Sequence, residues 1–246
     1  MKNKWVIIIS LLAFAMIIPL EAEMTVKVQR GETAGIIAKK YLKDAKQWRE
    51  VFKANDLPQK DPPAGTLIKI PSDLMKSPDG VIVNYQDAAL YSRAHSKQWD
   101  PSYANLMLFR MDSLKTNETG QARLTLRNKA IMHIGPKTTV ILNYTGRKGA
   151  SEQNMLLKKG RLRFQSSAGL DIGKFQVLTP AAVAGVRGTE FETSVDDTGN
   201  TGISCYKGKV GVSAAGKTVE VPAGFGVFVE MGKEPGEPFA LPQAPI

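Results

Sequence analysis

Between residues 81 and 232 one pattern recurs: short runs in which apolar and polar side chains alternate, punctuated by turn signals. A period of two places successive side chains on opposite faces, which only an extended strand with one buried face can use. The runs fall at 121–126, 131–134, 139–144, 162–164, 175–178, 190–195, 202–206, 209–213 and 225–229. Turn-forming residues stand between them at 127–129, 196–200, 207–208, 215–217 and 222–224. Helix signals are few here. Many short strands at close spacing predict an all-β sandwich, barrel or roll.

The preceding segment, 24–71, changes period. Residues 25–29 alternate, and then Gly31 breaks the run. Thr33 is placed to cap a helix that carries Ile36, Ile37, Tyr41 and Leu42 as its apolar stripe. Gly35 weakens that helix by roughly 1 kcal/mol relative to alanine. A second helix is expected from near Asp44, with Gln47 three residues on and Trp48, Val51 and Phe52 at helical spacing. Residues 55–58 stop it, and 65–71 read as a closing strand. The predicted order is β-α-α-β, a small α+β module ahead of the β domain. Residues 72–80 read as a short solvated linker. Residues 233–246, with four prolines and no period, read as a disordered tail.

Lys2 and Lys4 precede a mostly apolar run from Trp5 to Leu20, with Ala22 as the last leader residue. This is the pattern of a secretory signal peptide over 1–22, although an uncleaved anchor shares it. An exported protein in the periplasm or cell envelope is expected, with no stable membrane span after cleavage. The formal net charge of +10 becomes +9 once two lysines and one glutamate leave with residues 1–22. After export such a charge points to acidic envelope polymers or to simple solubility, and nucleic acid is not an expected partner. Cys205 is the lone cysteine, so no intrachain disulfide can form and packed cores must hold the fold.

Two resemblances follow from particular residues. Residues 28–33 (VQRGET), 37–41 (IAKKY), 55–57 (NDL) and 63–71 (PAGTLIKIP) are similar to a LysM module. This implies binding of an N-acetylglucosamine glycan such as peptidoglycan, in a shallow groove between two loops. In this sequence those loops are Gly31, Glu32, Thr33 and Ala34, and Asn55, Asp56, Leu57 and Pro58. The pattern departs at Ala34-Gly35, where the family has a leucine. Residues 179–191 (TPAAVAGVRGTEF) resemble the signature of FecR-type domains of bacterial envelope proteins. They are joined by 112–116, 122–126, 157–162, 206–212 and 222–224. The signature residues Thr179, Pro180, Ala184, Gly185, Val186, Arg187, Gly188, Thr189, Glu190 and Phe191 are expected to form a structural corner, with Arg187 held by carboxylate or carbonyl partners. A second reading makes Arg187 an exposed anion contact.

No catalytic set emerges. His95 and His133 are the only histidines and lack ligand spacing, so no metal site and no cofactor is expected. Asp171, Glu190 and Glu192 are acids that glycoside hydrolysis could pair, but no motif joins them. Together the two resemblances imply a non-catalytic envelope protein, tethered to peptidoglycan by 24–71 and presenting 81–232 as an interaction scaffold. The alternative is a periplasmic sensor or signalling component acting through a membrane partner. A wall-modifying hydrolase is the third reading.

Overall fold

The computed structural model describes residues 24–94, 96–143, 153–166, 175–186 and 189–242. The leader expected at 1–22 lies outside them. Strand β1 (Met24–Lys27) and strand β2 (Leu67–Ile70) pair antiparallel, with Met24 opposite Ile70. Helix α1 (Ala34–Tyr41) starts where Thr33 accepts a hydrogen bond from the Ile36 amide at 3.3 Å. Asp44 caps a 3-10 turn (Ala45–Gln47) through the Lys46 amide, and helix α2 (Trp48–Ala54) follows. Ile37, Tyr41, Leu42, Val51, Phe52, Ile68 and Ile70 form the core of this module. Ile36, expected on the buried stripe, is 42% exposed instead, because the stripe turns toward Ala38 and Ala34.

The remaining strands follow in chain order: β3 (Gly80–Gln86), β4 (Ala89–Ser92), β5 (Asp100–Pro101), β6 (Met107–Leu108), β7 (Ser113–Thr116), β8 (Gln121–Leu126), β9 (Ile131–Ile134) and β10 (Thr139–Leu142). Then come β11 (Gln153–Gln165), β12 (Phe175–Leu178), β13 (Val183–Val186), β14 (Glu190–Val195), β15 (Thr201–Lys207), β16 (Lys209–Ala214), β17 (Lys217–Pro222), β18 (Phe225–Val229) and β19 (Phe239–Ala240). They build two sheets. One runs β6-β3-β8-β9-β11-β14-β15-β18-β19. The other runs β5-β4-β7-β10-β11-β12-β13-β16-β17. The fold is therefore mainly β, a two-layer roll with a small α+β module at its N-terminal end.

Strand β11 belongs to both sheets. Its first half pairs with β10 and β12, and its second half, from Gly160, pairs with β9 and β14. The switch needs Gly160. Its φ is +93°, and a Cβ there would lie 2.5 Å from the Thr138 Cα and 2.7 Å from the Lys137 carbonyl oxygen. Between the layers the inward residues of both sheets make one continuous core. Phe164 is fully buried at its centre, stacked on Phe175 (ring centroids 4.5 Å) and tilted against Phe191 (5.5 Å).

Two segments depart from their expected character. Residues 72–80 are not a free connector. Leu74 and Met75 pack on the module core, the Lys43 amide donates to the Leu74 carbonyl, and the Lys76 amide donates to the Tyr41 carbonyl. The tail from 233 to 242 is not disordered. The Gly236 amide donates to Phe228, the Leu241 amide donates to Gly224, and β19 pairs with β18. An exposed edge strand offers unpaired backbone groups, and satisfying them outweighs a proline-rich composition. Residues 243–246 lie outside the described residues.

Candidate functional site

The eight loop residues of the N-terminal module divide into two groups. Glu32 is buried and accepts from the Gln29 amide at 2.8 Å. Thr33 is the helix cap, and the Ala34 amide donates to Asp61 Oδ1 at 2.8 Å. Asn55 clamps strand β2 to α2: its Nδ2 donates to the Val51 and Lys69 carbonyls, and its Oδ1 accepts from the Lys69 amide at 2.7 Å. Leu57 packs half-buried on the core. Glu32, Ala34, Asn55 and Leu57 thus hold the module together. Gly31, Thr33, Asp56 and Pro58 stand exposed, with Asp56 in the left-handed region at φ 52°. A shallow depression lined by Arg49, Lys53, Asp56 and Leu57 adjoins the second loop.

The 179–191 signature links the two sheets. Thr179 closes a tight loop, its Oγ1 accepting from the Ala182 amide at 2.9 Å. Pro180 is exposed on that loop, and the Thr201 hydroxyl seals it from below by donating to Thr179 Oγ1 at 2.8 Å. Ala184 and Gly185 then run through the middle of their sheet, Gly185 opposite Gly211 and Val186 opposite Val210. A Cβ added at Gly185 would meet the Gly211 carbonyl oxygen at 3.8 Å, an ordinary contact, so crowding does not require the glycine here. Thr189 is buried, and Phe191 enters the core of the other sheet. Glu190 is held by Arg163, through Nε at 3.0 Å and Nη2 at 2.5 Å, and by Gln165 Nε2 at 2.9 Å. The Gln165 hydrogen bond, with help from the Arg163 charge, lowers the Glu190 pKa despite partial burial. Arg187 and Gly188 lie outside the described residues, and so does the expectation placed on the Arg187 side chain.

Among the described residues the most concentrated polar chemistry lies between the modules, on residues other than the candidate site residues named above. Asp112 is fully buried and takes four donors. Lys40 Nζ, from α1, reaches Oδ1 at 2.6 Å, and Arg93 Nη1, from the β domain, reaches Oδ2 at 2.6 Å. The amides of Ala94 and Phe109 supply the other two, each at 3.0 Å. Arg93 Nη1 also donates to the Met107 carbonyl at 2.9 Å. Burial pulls the Lys40 pKa down, against the nearby Asp112 charge. For Arg93 burial opposes the charged form too, but the Asp112 charge overrides it and the pKa rises. Burial likewise drives the neighbouring Tyr41 phenol well above its ordinary value. Phe109, three residues before Asp112, inserts into the N-terminal core and meets Tyr41 edge-on at 5.0 Å.

The turn 109–112 therefore sends its side chains in different directions. Phe109 fills one core and Asp112 holds two cations, while Arg110 stays exposed and Met111 only half-buried. Met111 takes φ 65°, a left-handed conformation that non-glycine residues rarely adopt. The turn is pinned from behind, since the Met111 amide donates to Leu142 and the Leu142 amide donates to Asp112. Beside it opens a cleft of about 380 Å³ between α1 and the β domain, lined by Glu32, Ile36, Lys39, Lys76, Arg110 and Met111 among others. Asp79 and Arg127 pair across its far end, where a smaller pocket of about 120 Å³ continues toward Asn143 and Phe175. Burial raises the Asp79 pKa against the pull of Arg127 and Arg110.

Among the described residues no group of three or more histidine, cysteine or acidic side chains could hold a metal ion. His133 is an exposed residue of β9, paired in register with Arg163 and Arg123. Among the described residues no helix is long and apolar enough to cross a membrane.

The family comparison bears on the β domain. No curated protein gives a significant match. Two solved structures of a putative anti-sigma factor from Parabacteroides distasonis, at 2.50 Å and 1.65 Å resolution, align with 19% identity and a TM-score of 0.41. The alignment covers 52% of this chain and 57% of theirs, so the chain spans little more than half their length. Residues 112–211, from the buried Asp112 through the 179–191 signature to the middle of β16, match the family described as FecR protein.

Proposed function

We propose that this is a non-catalytic component of envelope signalling, whose β domain engages a membrane protein partner outside the cytoplasm. The observation that carries the reading is the FecR match over 112–211. FecR-type domains elsewhere relay signals from outside the inner membrane, and the paired sheets here offer broad surfaces for contact. Tyr206 and Phe228 stand exposed on neighbouring strands β15 and β18 and are natural points for a probe. Photo-crosslinking residues placed at these two positions in intact cells should yield one discrete adduct with a membrane protein. Deleting the gene should change transcription. Absence of both the adduct and the transcriptional change refutes the proposal.

A second reading rests on the β-α-α-β order of residues 24–71. In it the exposed Gly31, Thr33, Asp56 and Pro58 contact an N-acetylglucosamine glycan and hold the protein at the peptidoglycan. Sedimentation with purified wall, compared with a variant lacking 24–71, tests it. An intact chain that stays in solution removes it.

A further inference from the structure

We propose that the cleft between the modules binds an anionic sugar, whose carboxylate or phosphate is met by Arg110, Lys39 and Lys76. The lining carries more cations than internal pairing uses. Lys40 is consumed by Asp112, and Arg127 pairs with Asp79. Lys76 gives one donor to the Lys39 carbonyl at 3.0 Å, leaving two of its three hydrogens for a ligand. Arg110 stands at the exposed apex of a turn whose base is fixed by Asp112, so its guanidinium fork is delivered on a rigid support.

The rest of the lining favours a sugar over a bare ion. Ile36, 42% exposed, and Met111 give an apolar floor suited to the C–H face of a pyranose. Glu32 and Asp79 also line the cleft, and each carboxylate keeps lone pairs beyond its Gln29 or Arg127 partner with which to accept hydroxyl hydrogens. A volume of about 380 Å³ is within the ordinary range for small-ligand clefts. Because α1 supplies Ile36 and Lys39, the loop before it supplies Glu32, and the β domain supplies Arg110 and Met111, the site exists only when the modules are docked. This site is separate from the exposed loop residues of the glycan reading and does not depend on the signalling reading.

Calorimetric titration of the full-length chain tests it, with glucuronic acid and N-acetylmuramic acid as carboxylate probes and glucose 6-phosphate as the phosphate probe. Glucose, N-acetylglucosamine and inorganic phosphate are the controls. At least one anionic sugar should bind at least about tenfold more tightly than its neutral counterpart and than inorganic phosphate. Arg110→Ala should weaken that binding about tenfold, the loss expected of one charge-assisted contact. The Lys39→Ala, Lys76→Ala double variant should do the same, with circular dichroism showing both variants folded. Binding of the carboxylate probes alone identifies acid sugars as the source, and binding of the phosphate probe alone identifies sugar phosphates. Asp56→Ala should leave the affinity unchanged. Equal binding of neutral and anionic sugars overturns the proposal, as does no binding by any probe or indifference to Arg110→Ala. Loss of binding in Asp56→Ala but not in Arg110→Ala would move the ligand to the loops and overturn the cleft alone.

Discussion

Asp112→Asn removes the one negative charge between two buried cations. In the native protein each of the two pairs gains about 4 kcal/mol of gross attraction at an effective dielectric near 20, against the cost of desolvating Lys40 and Arg93. The asparagine keeps the shape and one carbonyl acceptor, so the two donors on that oxygen stay satisfied while the other two meet an amide NH2 that cannot accept. Lys40 and Arg93 then face each other without a counterion, and the net loss should be about 3–5 kcal/mol. The loss falls at the joint between modules, because Lys40 comes from α1 and Arg93 from the β domain. Urea unfolding in a Trp5→Phe, Trp99→Phe background, followed by Trp48 fluorescence and by the β-sheet circular dichroism, reads it directly. The native chain should unfold with coincident transitions. In Asp112→Asn the Trp48 transition should move to lower urea and separate from the sheet transition. Lys40→Met should cost less than half as much, since Arg93 still neutralises Asp112. Coincident transitions, with stability within about 0.5 kcal/mol of the native chain, would refute the joint as described.

Gly160→Ala should lower stability by at least about 2 kcal/mol in thermal unfolding, because the left-handed backbone and the Thr138 Cα both resist a side chain. Glu190→Gln should cost roughly 0.5–1 kcal/mol near neutral pH, as expected for a partly exposed pair. The folded Glu190 pKa is lowered, so its contribution is full above the ordinary value of 4.5 and vanishes as pH falls through the lowered one. The stability difference between the two proteins should therefore close on acidification, and a difference that persists at low pH would contradict the pairing. Cys205 is buried, and burial raises its thiol pKa. Labelling by a thiol reagent should be about a hundredfold slower in native protein than in urea.

Alternation made β8, β9, β12, β14 and β18 legible, because each presents one apolar face to a single core. Strand β13 escaped the reading. Its sequence, Val-Ala-Gly-Val, has no polar face, since the strand lies between β12 and β16 in the middle of a sheet. Strands β5 and β6 are two residues long and have no period to detect. The cap at Thr33 was readable because it acts over three residues. The Asp112 joint was not, since Lys40 lies 72 positions away and a carboxylate between Met111 and Ser113 looks like any surface acid. Its one local hint is the burial demand of Phe109 and Leu114 on either side. The two loops of the N-terminal module were located by resemblance, but the sequence could not separate residues that face solvent from those, such as Asn55, spent on the backbone of β2.

The joint and the cleft share one turn, and that has an energetic consequence. Phe109 and Asp112 fix the docked arrangement, while Arg110 and Met111 line the cleft that exists only in that arrangement. A ligand bound there must stabilise docking by the same free energy that docking contributes to its affinity. At a hundredfold excess over its Kd the gain is about 2.7 kcal/mol, close to the lower estimate for losing Asp112. Saturating ligand should accordingly restore much of the Trp48 transition in Asp112→Asn, and the variant should bind more weakly than the native chain. The turn is also bonded to Leu142 at the end of β10, which pairs with the sheet-switching strand β11. Tightening at the cleft should therefore slow amide exchange along β10 and β11, at the junction of the two sheets. Rescue of stability by ligand without any change in amide exchange along β10 and β11 would show that the coupling ends at the turn.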